Sequence, residues 1–229
     1  EKVLCSGDLF VWSSPNAGNP QKVQRYPLEW ANALRRMAAL EPEILLPGHG
    51  LPIFGAARVA QALGETAEFL EDLVAQTLAM MNAGARLSEV LHQVRPPARL
   101  EGRAYLQPIY DEPEFIVHNV WRLYGGWWDG NPAHLKPAPE RRLAEELCAL
   151  SGGPARLGER CETLLEAGDD EALRLAGHLI EMAWLCAPED PAIQALRQRV
   201  FRTRAEQATS TMARGVFSWA VRESRGEEV

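Results

Sequence analysis

Two short motifs in this chain could do chemistry: Ser6-Gly7-Asp8 and Pro47-Gly48-His49-Gly50. Each follows a short apolar run, and a helix-patterned stretch lies between them. A carboxylate and an imidazole carried to the ends of two neighbouring strands are metal ligands by type. Two donors make only part of a site, because a hydrolytic zinc centre needs three or four ligands per ion. No other dense cluster of His and Asp occurs in the sequence. The pair therefore reads as the second half of a metal-dependent hydrolase that continues into a helical module. Alone, Asp8 could cap the turn after Gly7, and His49 could be an ordinary loop histidine. Their pairing, and glycines on both sides of His49 that let backbone approach a ligand closely, favour the metal role.

The elements that must position this pair follow from the pattern. Val3-Leu4-Cys5 and Leu9-Phe10-Val11-Trp12 flank Gly7-Asp8 and read as a buried strand with its loop. Ser13 to Pro20 is loop by composition. Pro27 opens a helix with Ala31, Leu34, Met37 and Ala38 on one face, and Pro42 stops it. Ile44-Leu45-Leu46 is a short continuous apolar strand ended by Pro47-Gly48. Together these make a βαβ unit, whose crossover should be right-handed. Two parallel strands cannot make a self-sufficient sheet. Residues 1 to about 55 are thus expected to pack on strands these residues do not contain, and an N-terminal portion is expected before Glu1.

Downstream, Val59, Leu63, Ala67, Leu70, Val74, Leu78 and Met81 recur every three or four residues, an amphipathic helix ending near Gly84. Ser88 should cap a shorter helix that ends at Pro96-Pro97. Asp111 and Glu114 form a capping-box-like start for a helix with Ile116, Val120 and Leu123 as its buried stripe. On that helix His118, Asn119 and Arg122 share one face by their spacing. They read either as a solvated polar face or as the polar wall of a substrate pocket. Tyr124 falls nearer the apolar face, which favours core packing over ligand contact. Trp127 and Trp128 begin an aromatic-rich turn and either line an alkyl pocket or pin the turn to the core, the second being preferred. His134 supports that turn, and His92 and His178 read as structural. From Pro139 the pattern is helical: Leu143, Leu147 and Leu150 on one helix, Leu157, Cys161 and Leu164 on the next, then helices capped by Asp169 or Asp170 and by Asp190-Pro191, and a last one carrying Met212, Val216 and Trp219 or Ala220. The stretch from Gly168 to about Arg204 resembles one tetratricopeptide-like hairpin, with no second copy at that period.

Bulk properties narrow the classes. The chain has 229 residues, 46% hydrophobic and 24% charged, with a net charge of -7 and a pI near 5.4. An acidic chain without a Lys/Arg block does not suit general nucleic-acid binding. No apolar run is long enough to span a membrane, no signal-peptide pattern appears, and the compartment stays open between cytoplasm and export. Cys5, Cys148, Cys161 and Cys186 lack CxxC spacing and read as buried, inert thiols. The seven Trp suggest a substantial core or interface. The terminal Glu227-Glu228 run reads as a solvated tail. No GxSxG, Walker or GxGxxG motif occurs.

Gly7-Asp8 followed by Gly48-His49-Gly50 resembles the last two metal motifs of the metallo-β-lactamase superfamily. His118-Asn119-Val120, Tyr124 and the run Gly126-Trp127-Trp128-Asp129-Gly130-Asn131-Pro132-Ala133-His134-Leu135 are similar to the alkylsulfatase branch, and the helical stretch from about Ser151 to Arg225 is similar to that branch's dimerisation domain. The resemblance implies an α/β + α architecture: the C-terminal βαβ portion of a metallo-β-lactamase αββα fold, followed by an all-α dimerisation domain. It divides the chain into residues 1–84 of the catalytic domain, a connecting segment 85–138, and a helical domain 139–229. It implies a dinuclear Zn2+ centre in which Asp8 bridges and His49 ligates, and a sulfate ester as substrate. It implies substrate contacts from His118, Asn119 and Tyr124. The branch's sulfate-binding Arg segment is not recovered in this sequence, and Lys22 and Arg25 are loose substitutes for it. It also implies a homodimer through the C-terminal helices. The superfamily's HxHxDH motif is absent from these residues, and Asp8 stands where alkylsulfatases usually carry the Glu of an AEN context. The 229 residues alone are therefore expected to be inactive. Two other accounts stay open: a metallo-hydrolase of phosphoesters, lactones or thioesters, and a non-catalytic helical interaction module.

Overall fold

The two apolar runs around Gly7-Asp8 form one strand, β1 (Val3–Val11), in the computed structural model, which describes residues 2–226. A helix α1 (Pro27–Ala38) connects β1 to β2 (Ile44–His49), and the two strands pair in parallel. A two-residue strand β3 (Ile53–Phe54) adds antiparallel to β2, giving the order β1-β2-β3. The sequence pattern did not mark β3, since two residues show no alternation. Pro47 and Gly48 lie inside β2 rather than ending it. The expectation that β1 is buried is corrected. It is an edge of the sheet among the described residues, and Val3, Cys5, Gly7 and Asp8 are exposed while Ser6 and Phe10 are buried.

One face of α1 buries Ala31 and Leu34, as the spacing predicts. The indole Trp30 Nε1 donates to Leu9 O at 2.8 Å, which ties that helix to β1. The long amphipathic helix is α2 (Ala56–Asn82). It buries Val59, Leu63, Ala67, Leu70 and Val74 in a core that also takes in Phe10, Leu34, Leu45 and Ile116. Next come α3 (Leu87–Gln93) and two single 3-10 turns, Ala98–Leu100 and Ala104–Leu106, then α4 (Pro113–Gly125) and a short turn of helix, α5 (Pro132–Leu135). Two capping expectations fail. Ser88 lies inside α3, whose first turn is closed by Arg86 N–H donating to Glu89 Oε2 at 2.7 Å. Asp111 does not cap α4, because its carboxylate is turned toward the loop at Gly18.

Contacts divide the chain into two compact units, Glu1–Leu135 and Lys136–Val229. The second is all helix: α6 (Glu140–Ser151), α7 (Pro154–Ala167), α8 (Asp170–Cys186), α9 (Pro191–Gln207) and α10 (Thr211–Glu223). The caps read from sequence are there: Asp169 accepts from Ala172 N at 2.9 Å, and Asp190 from Ala192 N at 2.8 Å. Cys161, Ala176, Ile180, Leu196 and Val200 form its core. Arg197, 2% exposed, crosses that core. It donates to Glu181, Glu223, Ser224 Oγ and the carbonyl of Ala220, and its guanidinium lies 4.1 Å from the Trp184 ring centre. A buried cation is tolerated only when so fully partnered.

The four cysteines are free, and the expectation that all are buried holds for Cys148 and Cys161 only. Cys186 is half-buried and Cys5 is exposed, because it lies on the open edge strand. Burial pushes the Cys161 thiol up to about 11, and burial with the neighbouring Cys186 does the same to Cys148. Both stay protonated and unreactive at neutral pH. The Glu227-Glu228 run lies outside the described residues. Among the described residues no helix is long and apolar enough to cross a membrane.

Candidate metal centre and a cavity beside α4

The pairing of β1 with β2 is irregular where the chemistry lies. Between the pairs Gly7–Pro47 and Val11–His49, β1 carries Asp8, Leu9 and Phe10 while β2 carries Gly48 alone. Such a bulge re-aims side chains, and bulges are enriched beside functional sites. Here Asp8 reaches His49 across the strands, with Oδ1 3.5 Å from Nε2, and both side chains are 78% exposed. His49 is the last residue of β2, at the carboxyl end of a parallel pair, where open α/β sheets place ligands.

The glycines around His49 have distinct reasons. A Cβ on Gly48 would sit 2.2 Å from Asp8 Oδ1 and 2.7 Å from the carbonyl carbon of Gly7. Any larger residue would push Asp8 away from His49. Gly50, at φ +100°, leaves room for the Trp12 ring, which would lie 2.1 Å from a Cβ there. Trp12 then holds the loop: its backbone N–H donates to His49 O at 3.3 Å and its indole to Leu51 O at 2.7 Å. Trp12 was missed as a site residue. Its signal was a Trp three residues past the strand's second apolar run began, which does not distinguish a clamp from core.

Donor chemistry and spacing suit two positions of a metal site. Two ligands each about 2.0–2.2 Å from one tetrahedral ion lie roughly 3.4 Å apart. Among the described residues no group of three or more His, Cys, Asp and Glu could hold an ion. An ion held between Asp8 and His49 would need at least one further donor.

The loop leaving β1 forms one wall of a cavity of about 340 Å³, and α4 forms another. His118, Asn119 and Arg122 all line it, with Phe115, Trp121 and Trp127 as its aromatic side. Asn119 is 6% exposed and works as a clasp. Its Nδ2 donates to Ala17 O at 2.7 Å and Arg25 O at 2.9 Å, and its Oδ1 accepts from Gln24 Nε2 at 3.0 Å. Arg25 is held against Asn119 through its backbone, and its side-chain Nε is buried without a hydrogen-bond partner. His118 has one face open to solvent, yet burial among the cavity walls lowers its pKa, with Glu114 opposing. Its imidazole is therefore neutral at neutral pH, and Arg122 supplies the cavity's standing positive charge.

Tyr124 does not line this cavity and is 48% exposed, so the expected core packing is corrected. The preferred pinning of Trp127 to the core fails as well: it is 70% exposed and lines the cavity rim. Trp128 does secure the turn, its indole donating to Asn131 O at 2.8 Å while Trp121 donates to its carbonyl at 2.9 Å. His134 supports the same turn, with Nδ1 2.5 Å from Asp129 Oδ2. His92 and His178 lie on the surface of their helices.

Asp111 was misread as a helix cap, and it closes the other end of the cavity loop. It is fully buried and accepts from Gly18 N at 2.6 Å, Asn19 N at 3.1 Å and Glu112 N at 2.8 Å. Burial pushes its carboxyl up to about 6, against the pull of those three N–H groups. Between about pH 4 and 6 the folded chain then keeps a proton that the unfolded chain has released. Stability from this group accordingly falls as pH rises through that window, by about 2–3 kcal/mol, and is flat above it. Urea denaturation at pH 4.5, 5.5 and 6.5 should show this slope, and Asp111→Asn should flatten it. An unchanged slope in the variant would assign it to other groups.

Comparison with known proteins adds the following. The alkyl sulfatase dimerisation family model matches residues 86–227. A linear primary-alkylsulfatase of Pseudomonas sp. is 28% identical over 213 residues, covering 88% of this chain and 38% of that protein. An (R)-specific secondary-alkylsulfatase of Pseudomonas sp. is 24% identical over 185 residues, covering 80% of this chain and 27% of that protein. The solved structure of Pisa1, a stereoselective inverting sec-alkylsulfatase from Pseudomonas sp., superposes with a TM-score of 0.91 at 22% identity, over 99% of this chain and 36% of that one. The chain thus spans under two-fifths of the length of these relatives.

Proposed function

Since the chain belongs to the alkyl sulfatase dimerisation family, we propose that it is part of a zinc-dependent, homodimeric hydrolase of alkyl sulfate esters with a metallo-β-lactamase-type catalytic domain. The observation that carries this is the approach of Asp8 Oδ1 to His49 Nε2, 3.5 Å, on the bulged edge strand. Asp8 has two oxygens and so can serve two cations, while His49 offers one nitrogen. Gly48 keeps the two side chains close, and Trp12 fixes the backbone that presents His49. When bound, a zinc pair supplies Lewis-acid charge at the ester's oxygens.

The cavity suits an anion with an apolar tail. Arg122 offers a charged fork that matches a sulfate's oxygens. His118, neutral because burial disfavours its charged form, can donate or accept one hydrogen bond there. Phe115, Trp121 and Trp127 give the tail apolar surface. Asn119 and Asp111 position the loop and need not touch substrate. Arg25, tied to Asn119 through its backbone, does not line the cavity and is a substrate contact in this reading only if the ester extends beyond it. Tyr124 is a substrate contact in this reading only if the ester extends beyond the cavity.

The test is inorganic sulfate release from a linear alkyl sulfate. The full-length protein should release it, and the 229 residues alone should not, because two ligands do not hold a catalytic zinc pair. Turnover of phosphoesters, lactones or thioesters in place of alkyl sulfates would keep the scaffold and change the substrate class. Turnover by the 229 residues alone would refute the partial-site argument.

A further inference from the structure

Helix α6 is held to its own unit by two small side chains. Ala144 and Cys148 are its buried residues, and α8 is its main packing partner. Leu143, Leu147 and Leu150 stay exposed. Small residues at the contact let two helix axes approach closely. At an interaxial distance of about 8–10 Å, with Cα atoms about 2.3 Å from each axis, facing Cα atoms lie roughly 3.4–5.4 Å apart. A disulfide needs Cα atoms about 4.4–6.8 Å apart. Two cysteines that face each other across this contact can therefore be bridged with little movement of the backbone.

Cys148 and Cys186 face each other in this way. Cys148, 2% exposed, sets its sulfur 3.9 Å from the carbonyl oxygen of Met182. That carbonyl points along α8 toward Cys186, the residue one turn further on. The Cα–Cβ bond of Cys186 leans back over the same turn, as helical side chains do. The Cys148 sulfur thus lies where the Cys186 side chain is aimed, and the two thiols interact. Both thiols are free. Cys161 is the contrast, since it is buried in the same unit but turns its sulfur to the carbonyl of Ala176 at 3.6 Å.

We infer that Cys148 and Cys186 are an oxidisable pair, which forms a disulfide that pins α6 to α8 when a low-molecular-weight disulfide is present as oxidant. Cys186, half-buried, is the entry point. Its thiolate attacks one sulfur of the reagent, the reagent's S–S bond breaks, a mixed disulfide forms on Cys186, and one reagent thiolate leaves. Burial keeps Cys148 protonated and out of the reagent's reach. It reacts only with the electrophilic sulfur then held against it. The Cys148–Cys186 bond forms, the mixed disulfide breaks, and the second reagent thiolate leaves with the Cys148 proton. The protein pair gives up two electrons, and the reagent is reduced to two thiols. The bridge closes a loop that holds the whole of α7 and the length of α8. Closing a loop that long restricts the unfolded chain and so favours the packed helices.

Oxidised glutathione added to the full-length protein at about pH 8, near the ordinary thiol pKa, tests it. Peptide mapping without reductant should show Cys148 joined to Cys186, with Cys161 still a free thiol. Hydrogen exchange of the α6 amides should slow by about tenfold or more, and dithiothreitol should restore the original rate. Cys148→Ser should stop at glutathione on Cys186, and Cys186→Ser should leave Cys148 unmodified. Glutathione that stays on Cys186 of the parent without a bridge overturns the inference. So does a Cys186 that remains reduced, or one that pairs with any cysteine other than Cys148. Mapping of the parent decides between these outcomes even where Cys148→Ser fails to fold.

Discussion

In the full-length protein, Asp8→Ala and His49→Ala should each reduce alkyl sulfate hydrolysis by about a thousandfold or more, some 4 kcal/mol of barrier or above. The reason is that each removes a direct ligand. Loss of a group that merely orients a ligand costs about 10–100-fold. Both side chains are mostly exposed in the described residues, so neither variant should lose core packing, and thermal melting should be unchanged. Asp8→Glu should retain part of the rate, since a carboxylate survives on a longer arm. Gly48→Ala should lower activity without touching a ligand, because its methyl group would meet Asp8 Oδ1. Variants at Asp8 and His49 with parental rates would instead favour a non-catalytic interaction module.

Asn119→Leu should destabilise the first unit by about 3 kcal/mol, because two carbonyls lose donors and Gln24 loses an acceptor, at about 1–3 kcal/mol for each buried group left unpaired. The melting temperature of that unit should fall by about 10 °C. Asn119→Asp should be as harmful, since a second carboxylate oxygen would face the carbonyls of Ala17 and Arg25. The cavity wall formed by Gly18 to Pro20 would loosen, so the KM for alkyl sulfate in the full-length protein should rise as well. Calorimetry separates the clasp from a direct substrate contact. A variant that melts within a degree or two of the parent while its KM rises would make Asn119 a ligand of the substrate instead.

The parts that were legible in the sequence are those set by local chemistry. The βαβ unit followed from apolar runs and helical spacing, and the Asp169 and Asp190 caps from residue type at helix starts. The Asp8–His49 approach followed from two apolar runs that end in Gly7-Asp8 and Gly48-His49 on strands joined by one crossover helix. What escaped was decided by distant neighbours. Asp111 has the right type and spacing to cap α4, but it is bonded to Gly18 and Asn19, 93 and 92 residues away. Asn119 likewise clasps Ala17 across 102 residues. Spacing placed it on a polar face without saying that the face would be covered. On α6 the leucine period announced a helix correctly, yet periodicity does not tell which apolar face packs within the chain. Spacing put Tyr124 near the apolar face of α4 and aromatic type suggested core for Trp127, yet the last turn of α4 and the turn after it leave both at the surface.

The central claim is that an edge strand and its parallel neighbour present one carboxylate and one imidazole to a shared metal centre whose other donors lie outside these residues. X-ray diffraction from crystals of the full-length protein, recorded on either side of the zinc absorption edge, tests it most directly. The account predicts anomalous peaks about 2.0–2.2 Å from an Asp8 oxygen and from His49 Nε2, with the remaining ligands contributed by residues beyond this chain. A zinc-loaded, active enzyme whose anomalous peaks lie away from both side chains would contradict it.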